Sequence, residues 1–210
     1  MINILIHGLG QNNQSWNEVK KHLNNDGILV EIPNLYCLNN KSVTYSNLYN
    51  NFENILNNYQ DKLNLCGLSL GGIIALEYAK RHPEKVNSLV LIGTPYKISK
   101  VLFTIQNIIF KFMPESTFKN IGISKQDFCR LFNSLQNINL VKNLENINCP
   151  TLLMCGTKDK ANIKSLKQLN KKIKNSQVNL INASGHEVNI DNPNELYLKV
   201  SEFWKQLQRN

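Results

Sequence analysis

The feature that most constrains this chain is a regular alternation of short apolar runs with segments of helical period. Apolar runs fall at 2–6, 28–32, 62–66, 86–92, 151–155 and 177–181. Each is too short for a helix and suits a strand buried on both faces. Between them lie amphipathic stretches. Ser15 can cap a helix running to about residue 25, with Glu18 three residues on to complete a capping box. From Thr44 onward, Tyr45, Leu48, Tyr49, Phe52, Ile55, Leu56 and Tyr59 recur at helical spacing. Further helices are expected at 71–81, 161–174 and 193–207, the first closed by Pro83 and the last opened by Pro193. Strand–helix alternation predicts an α/β fold of three layers. Its centre is a six-stranded parallel sheet with right-handed crossovers and helices on both faces. In such sheets ligands bind at the carboxyl ends of the strands.

The chain's 210 residues suit a single domain. With 42% hydrophobic and 19% charged residues, it can bury an ordinary core. A net charge of +9 permits an acidic partner without requiring one. No basic stripe is interleaved with aromatics, so nucleic acid is not an expected partner. Lys164, Lys167, Lys171, Lys172 and Lys174 read as a solvated helix face. The five cysteines, Cys37, Cys66, Cys129, Cys149 and Cys155, are odd in number and lack CxxC spacing. Neither a disulfide framework nor a metal site fits. Free thiols, the lack of a leader pattern and the lack of a long apolar run predict a cytoplasmic protein with no stable membrane anchor.

One segment breaks the alternation. Residues 96–148 carry no strand signal and are expected to form an inserted helical lid on a core made of 1–95 and 149–210. Ile98, Val101, Leu102, Ile105, Ile108, Ile109 and Phe112 form an apolar stripe, and a second helix is expected at 125–136. The stripe can pack on the core or line a substrate pocket through Ile105 and Ile109. It can also lie on an interface, with Lys97, Lys100 and Lys111 at its polar side.

The chemistry gathers at strand ends. Gly67-Leu68-Ser69-Leu70-Gly71 lies between a strand and a helix. A sharp strand-to-helix turn lifts a Ser hydroxyl above the sheet and needs small residues on either side. A hydroxyl needs a base to attack a carbonyl. Of the four histidines, His22 and His82 fall in or at the ends of helices and read as surface residues, while His186 follows the last strand. An acid must hold the imidazole tautomer, and Asp159, just past the fifth strand, is suited to this. Asp159 could instead cap the next helix, leaving Asp191 or Glu187 as the acid, although Asp191 suits capping of the last helix. A tetrahedral intermediate needs two N–H donors. The amides of Leu70 and Leu9 are the candidates, with Gly10 second to Leu9.

These residues resemble the α/β-hydrolase family, of the capped esterase and lipase type. The resemblance rests on Ile6-His7-Gly8-Leu9-Gly10 with Trp16 downstream, the Gly67–Gly71 turn, Cys149-Pro150-Thr151-Leu152 through Gly156 and Asp159, and Gly185-His186. It covers nearly the whole chain outside 96–148. The resemblance implies that His7 shapes the oxyanion loop, and that the family's first two strands are missing, which leaves six. It implies a serine hydrolase acting on a small-molecule ester of small or medium acyl length, with Ser69, His186 and Asp159 as catalytic residues and no cofactor. Thioesterases, enol-lactone hydrolases and lyases of menaquinone synthesis share the fold, and a ligand-binding protein on the same scaffold is a further reading. An anionic substrate would call for arginine at the pocket, where Arg130 is the candidate.

Overall fold

The computed structural model describes residues 1–39, 41–98, 110, 113–136 and 138–209. Six strands form one sheet: β1 (Ile2–Ile6), β2 (Val30–Glu31), β3 (Leu63–Leu68), β4 (Val86–Ile92), β5 (Thr151–Gly156) and β6 (Ser176–Ile181). Their order is β2-β1-β3-β4-β5-β6, and every pairing is parallel. The expected six-stranded parallel sheet is therefore present.

β1, β3, β4 and β5 alternate their buried side chains between two cores. On one face Ile4, Ile6, Leu63, Leu65, Leu89, Leu91 and Leu153 meet α2 (Tyr45–Asn57), α3 (Leu70–Arg81) and α6 (Lys160–Lys172). On the other, Leu5, Cys66, Leu68, Val90, Ile92 and Met154 meet α1 (Asn17–Asn25) and α8 (Pro193–Arg209). Two covered faces explain why these four strands read as continuous apolar runs, whereas β6, at the sheet edge, leaves Val178 and Leu180 exposed.

Two expectations shift at α1 and β2. Asn12, not Ser15, provides the cap. Its side chain accepts from the Gln14 amide at the head of a 3-10 turn, Asn13–Trp16, which precedes α1. Ser15 is the reciprocal partner in that capping box. The second strand pairs only Val30 and Glu31, shorter than 28–32. The reason is local: the Ile28 amide is drawn back to the Leu23 carbonyl at 2.9 Å, closing the end of α1.

Between β4 and β5 the described residues include α4 (Glu115–Lys119) and α5 (Lys125–Ser134) and no strand. Phe110, Phe118, Phe128 and Phe132 hold this region together through edge-to-face contacts, with ring centroids 4.9–5.0 Å apart. Ile105 and Ile109, like most of the predicted stripe, lie outside the described residues.

The chain moves from β1 to one side for β2 and then to the other for β3. The order therefore reverses at the β1/β3 seam, where Ile6 pairs with Gly67. A crevice forms at the carboxyl ends of strands at such a reversal.

Candidate active site

Ser69 follows β3 directly with φ 52° and ψ −108°. That region suits glycine, so a serine held there stores strain. Three glycines make the turn feasible. A β-carbon on Gly67 would lie 2.3 Å from the Gly71 carbonyl, one on Gly71 would lie 2.2 Å from the Ile6 carbonyl oxygen, and one on Gly72 would lie 1.9 Å from Thr94 Oγ1. The start of α3 is thus pressed against β1 and β3 at van der Waals limits. The Ser69 amide is anchored to the Ile92 carbonyl at 2.8 Å, and its side chain makes no capping bond to α3. The first intrahelical bond runs from the Ile73 amide to the Ser69 carbonyl. The Leu70 amide, three residues earlier, belongs to the orphan donors of the helix start.

The loop after β1 turns tightly, with the Gln11 amide bonded to the Gly8 carbonyl at 3.3 Å and Gly10 at φ 82°. Leu9 and Gly10 line the same cavity as Ser69, Leu70 and His186. His7 sits beneath this loop, fully buried. Its Nε2 accepts from the Leu35 amide at 3.2 Å, which leaves Nδ1 to donate to the Gly8 carbonyl at 3.0 Å. Burial lowers its pKa from 6.5 to about 4, against the opposing hydrogen bond to Gly8. His7 is a neutral, fully bonded part of the loop, with Tyr36 packed edge-on to its ring at 5.0 Å.

His186 Nδ1 lies 2.7 Å from Asp159 Oδ2. The imidazole is 42% exposed while the Asp159 side chain is 7% exposed, so the carboxylate is covered and the imidazole is open. Asp159 makes both of the contacts set against each other in the sequence, to His186 and to the start of the next helix. It also caps α6, accepting from the Asn162 amide at 3.3 Å. Asn162 Nδ2 donates to both carboxylate oxygens, at 3.1 and 2.9 Å. Burial pushes the Asp159 carboxyl up, but the bonds from His186 and Asn162 outweigh it and hold it below the ordinary carboxylate value. The carboxylate is charged at neutral pH and can hold a proton on His186 Nδ1, leaving Nε2 as the basic nitrogen.

The other acids are engaged elsewhere. Asp191 accepts from the Gly185 amide at 2.6 Å, and Glu187 from Gln11 Nε2 at 3.0 Å. The cap of α8 is Asn192, whose side chain accepts from the Glu195 amide. His82 pairs with Glu53 at 2.8 Å, and His22 stacks on Tyr197.

A cavity of about 700 Å³ opens over Ser69 and His186. Its walls are mostly apolar: Leu9, Ile73, Met113, Ile121, Phe128 and Phe132, with Lys97, Thr117, Asn162 and Ser165 as polar members. Arg130 does not line it and pairs with Asp127 on α5. Gly93, which sequence reasoning passed over, also lines it, just past β4. Among the described residues no cluster of three or more His, Cys, Asp or Glu could hold a metal, and no helix is long and apolar enough to cross a membrane.

The chain is 37% identical over 91 residues to a pimeloyl-[acyl-carrier protein] methyl ester esterase of Aromatoleum aromaticum. That stretch covers 43% of this chain and spans 36%, about a third, of the relative's length. Its backbone superposes on a carboxylesterase of Nitrososphaera gargenis with a TM-score of 0.86 and 20% identity, covering 99% of this chain and 90% of the other. MenH of S. aureus gives a TM-score of 0.82 and 18% identity, covering 99% and 94%. Residues 4–116, more than half of the chain, match the sequence profile of the alpha/beta hydrolase fold. With that match and the sheet described above, this chain belongs to the α/β-hydrolase family.

Proposed function

We propose that this protein is a serine hydrolase that cleaves a carboxylic ester of an apolar acyl group through an acyl-enzyme. One observation carries the reading: an exposed imidazole, held by a buried carboxylate at 2.7 Å, shares an apolar cavity with a serine on a strained strand-to-helix turn. His186 Nε2 takes the proton of Ser69 Oγ as that oxygen attacks the ester carbonyl. The Leu70 and Leu9 amides donate to the oxyanion. The intermediate collapses, the alkoxide leaves with the proton from His186, and the acyl group stays on Ser69. Water then enters, gives its proton to His186 and releases the acid by the same route. The sum is ester plus water to acid plus alcohol.

The region 96–148 acts as a lid in this reading. Its Phe128, Phe132 and Met113 walls take the acyl chain. The relatives' names, which specify a methyl ester on an acyl chain carried by a protein, support a simple ester with a sizeable acyl part. Labelling with a fluorophosphonate, followed by peptide mass analysis, tests the reading. The probe should attach to Ser69 in the native protein and not after Asp159→Ala or His186→Ala. Absence of labelling in a protein that is folded would overturn it.

A further inference from the structure

Gln11 and Asn189 are 178 residues apart in sequence and form a closed amide pair. Gln11 Nε2 donates to Asn189 Oδ1 at 3.1 Å, and Asn189 Nδ2 donates back to Gln11 Oε1 at 3.2 Å. The remaining protons are also placed: Gln11 Nε2 donates to Glu187 Oε1 at 3.0 Å, and Asn189 Nδ2 to the Ser15 carbonyl at 2.9 Å. The Gly8 amide approaches Gln11 Oε1 at 3.5 Å. Both side chains are buried, at 4% and 2% exposure. Two buried amides in reciprocal contact form both bonds at one separation only, and an unmatched amide there would be costly.

Their positions in the chain give the pair its meaning. Gln11 belongs to the same tight turn as Leu9, and Asn189 follows His186 by three residues, in α7 (Val188–Asp191). Neither side chain lines the cavity. We propose that the Gln11–Asn189 pair is a positioning device that fixes the Leu9 amide relative to the His186 imidazole. This rests on the hydrolase reading above. The oxyanion and the proton exist only once the reaction is under way, so the pair acts on the transition state and not on the apolar grip on substrate. Loss of the pair therefore lowers kcat and leaves KM unchanged.

The test uses three variants: Gln11→Met, the double variant Gln11→Met with Asn189→Leu, and the exchange Gln11→Asn with Asn189→Gln. The double variant keeps the packed volume and leaves no unmatched amide between the two positions, but the Ser15 carbonyl and the Glu187 carboxylate each lose a donor, so it should fold with some loss of stability. The exchange keeps an amide pair with the same total number of methylenes. With a nitrophenyl ester, both methionine-containing variants should lose about 10–100-fold in kcat, with KM within about twofold. The exchange should keep kcat within about fivefold of wild type. A folded double variant with kcat within fivefold of wild type overturns the proposal. Should the double variant not fold, the exchange decides: loss beyond fivefold in a folded protein overturns it. Ser69→Ala runs alongside. If it keeps activity, the hydrolase reading fails. If it is inactive while the double variant is not, only the positioning role fails.

Discussion

Gly93 lies directly against His186: a β-carbon on Gly93 would come within 3.1 Å of both Nδ1 and Cε1 of the imidazole, and 3.5 Å from Asp159 Oδ2. Its φ of 52° disfavours a side chain in any case. Gly93→Ala should therefore displace the ring from its carboxylate partner. Activity should fall by about 10-fold or more, since a shift of about 1 Å at a reacting group can cost 10²-fold. Stability should fall by about 1–2 kcal/mol. Kinetics and urea melts on the purified variant check both. A variant with wild-type kcat would mean that the imidazole does not need this floor.

Strain at Ser69 gives a second expectation. The same backbone angles that expose the hydroxyl are those glycine adopts without cost. Ser69→Gly should lose hydrolysis and gain about 1 kcal/mol of stability. Ser69→Ala should lose hydrolysis by about 10⁴-fold or more and gain none, because alanine keeps the strained β-carbon. Thermal melts of the two variants beside wild type read the difference. Equal melting temperatures for both would show that the turn is relaxed.

The turn around Ser69 was legible because its signals are local: two glycines at fixed offsets and a strand on one side. Asp159 and His186 were legible because each follows a strand that the apolar pattern marks. What escaped depends on chain segments meeting in space. Nothing in the residues after β4 marks Gly93 as the floor beneath an imidazole 93 residues later. Gln11 and Asn189 are unremarkable amides in a chain rich in them. Asp191 looked like a cap for α8, but the loop before it curls back and offers the Gly185 amide first. The choice of Asn12 over Ser15 turned on a 3-10 turn, which spacing does not distinguish from the first turn of a helix.

His7 makes stability depend on pH. In the unfolded chain its imidazole takes a proton near pH 6.5, whereas burial holds the folded pKa at about 4. Between these values the unfolded state binds more protons, so stability falls as pH is lowered. The loss is up to about 1.4 kcal/mol per pH unit, about 3 kcal/mol in all by pH 4, and no more below it. Asp159 acts in a separate window: its carboxyl is held low, so its contribution is present above the ordinary carboxylate pKa and is lost only as pH falls further. Urea midpoints from pH 7 to 4 should slope downward for wild type. His7→Gln should be less stable at pH 7 yet show a shallower slope over that range. Parallel slopes would show that His7 is not the titrating group.

The cavity rim offers the last expectation. Thr117 is exposed on α4 (Glu115–Lys119) and lines the mouth of the cavity, whereas Phe128 and Phe132 behind it are buried. Because Thr117 is exposed, a larger side chain there can narrow the acyl path with little effect on folding. Thr117→Trp adds an indole against walls that are already aromatic. A short acyl group needs only the space near Ser69, whereas a long one must pass the rim. In a series of nitrophenyl esters, kcat/KM should stay within about twofold for acetyl and fall about 10-fold or more for octanoyl, the scale of a few lost methylene contacts. The melting temperature should not change by more than about 1 °C. An equal drop at every chain length would place the indole over the reacting carbonyl. No drop at any length would mean that the acyl chain leaves Ser69 by another wall.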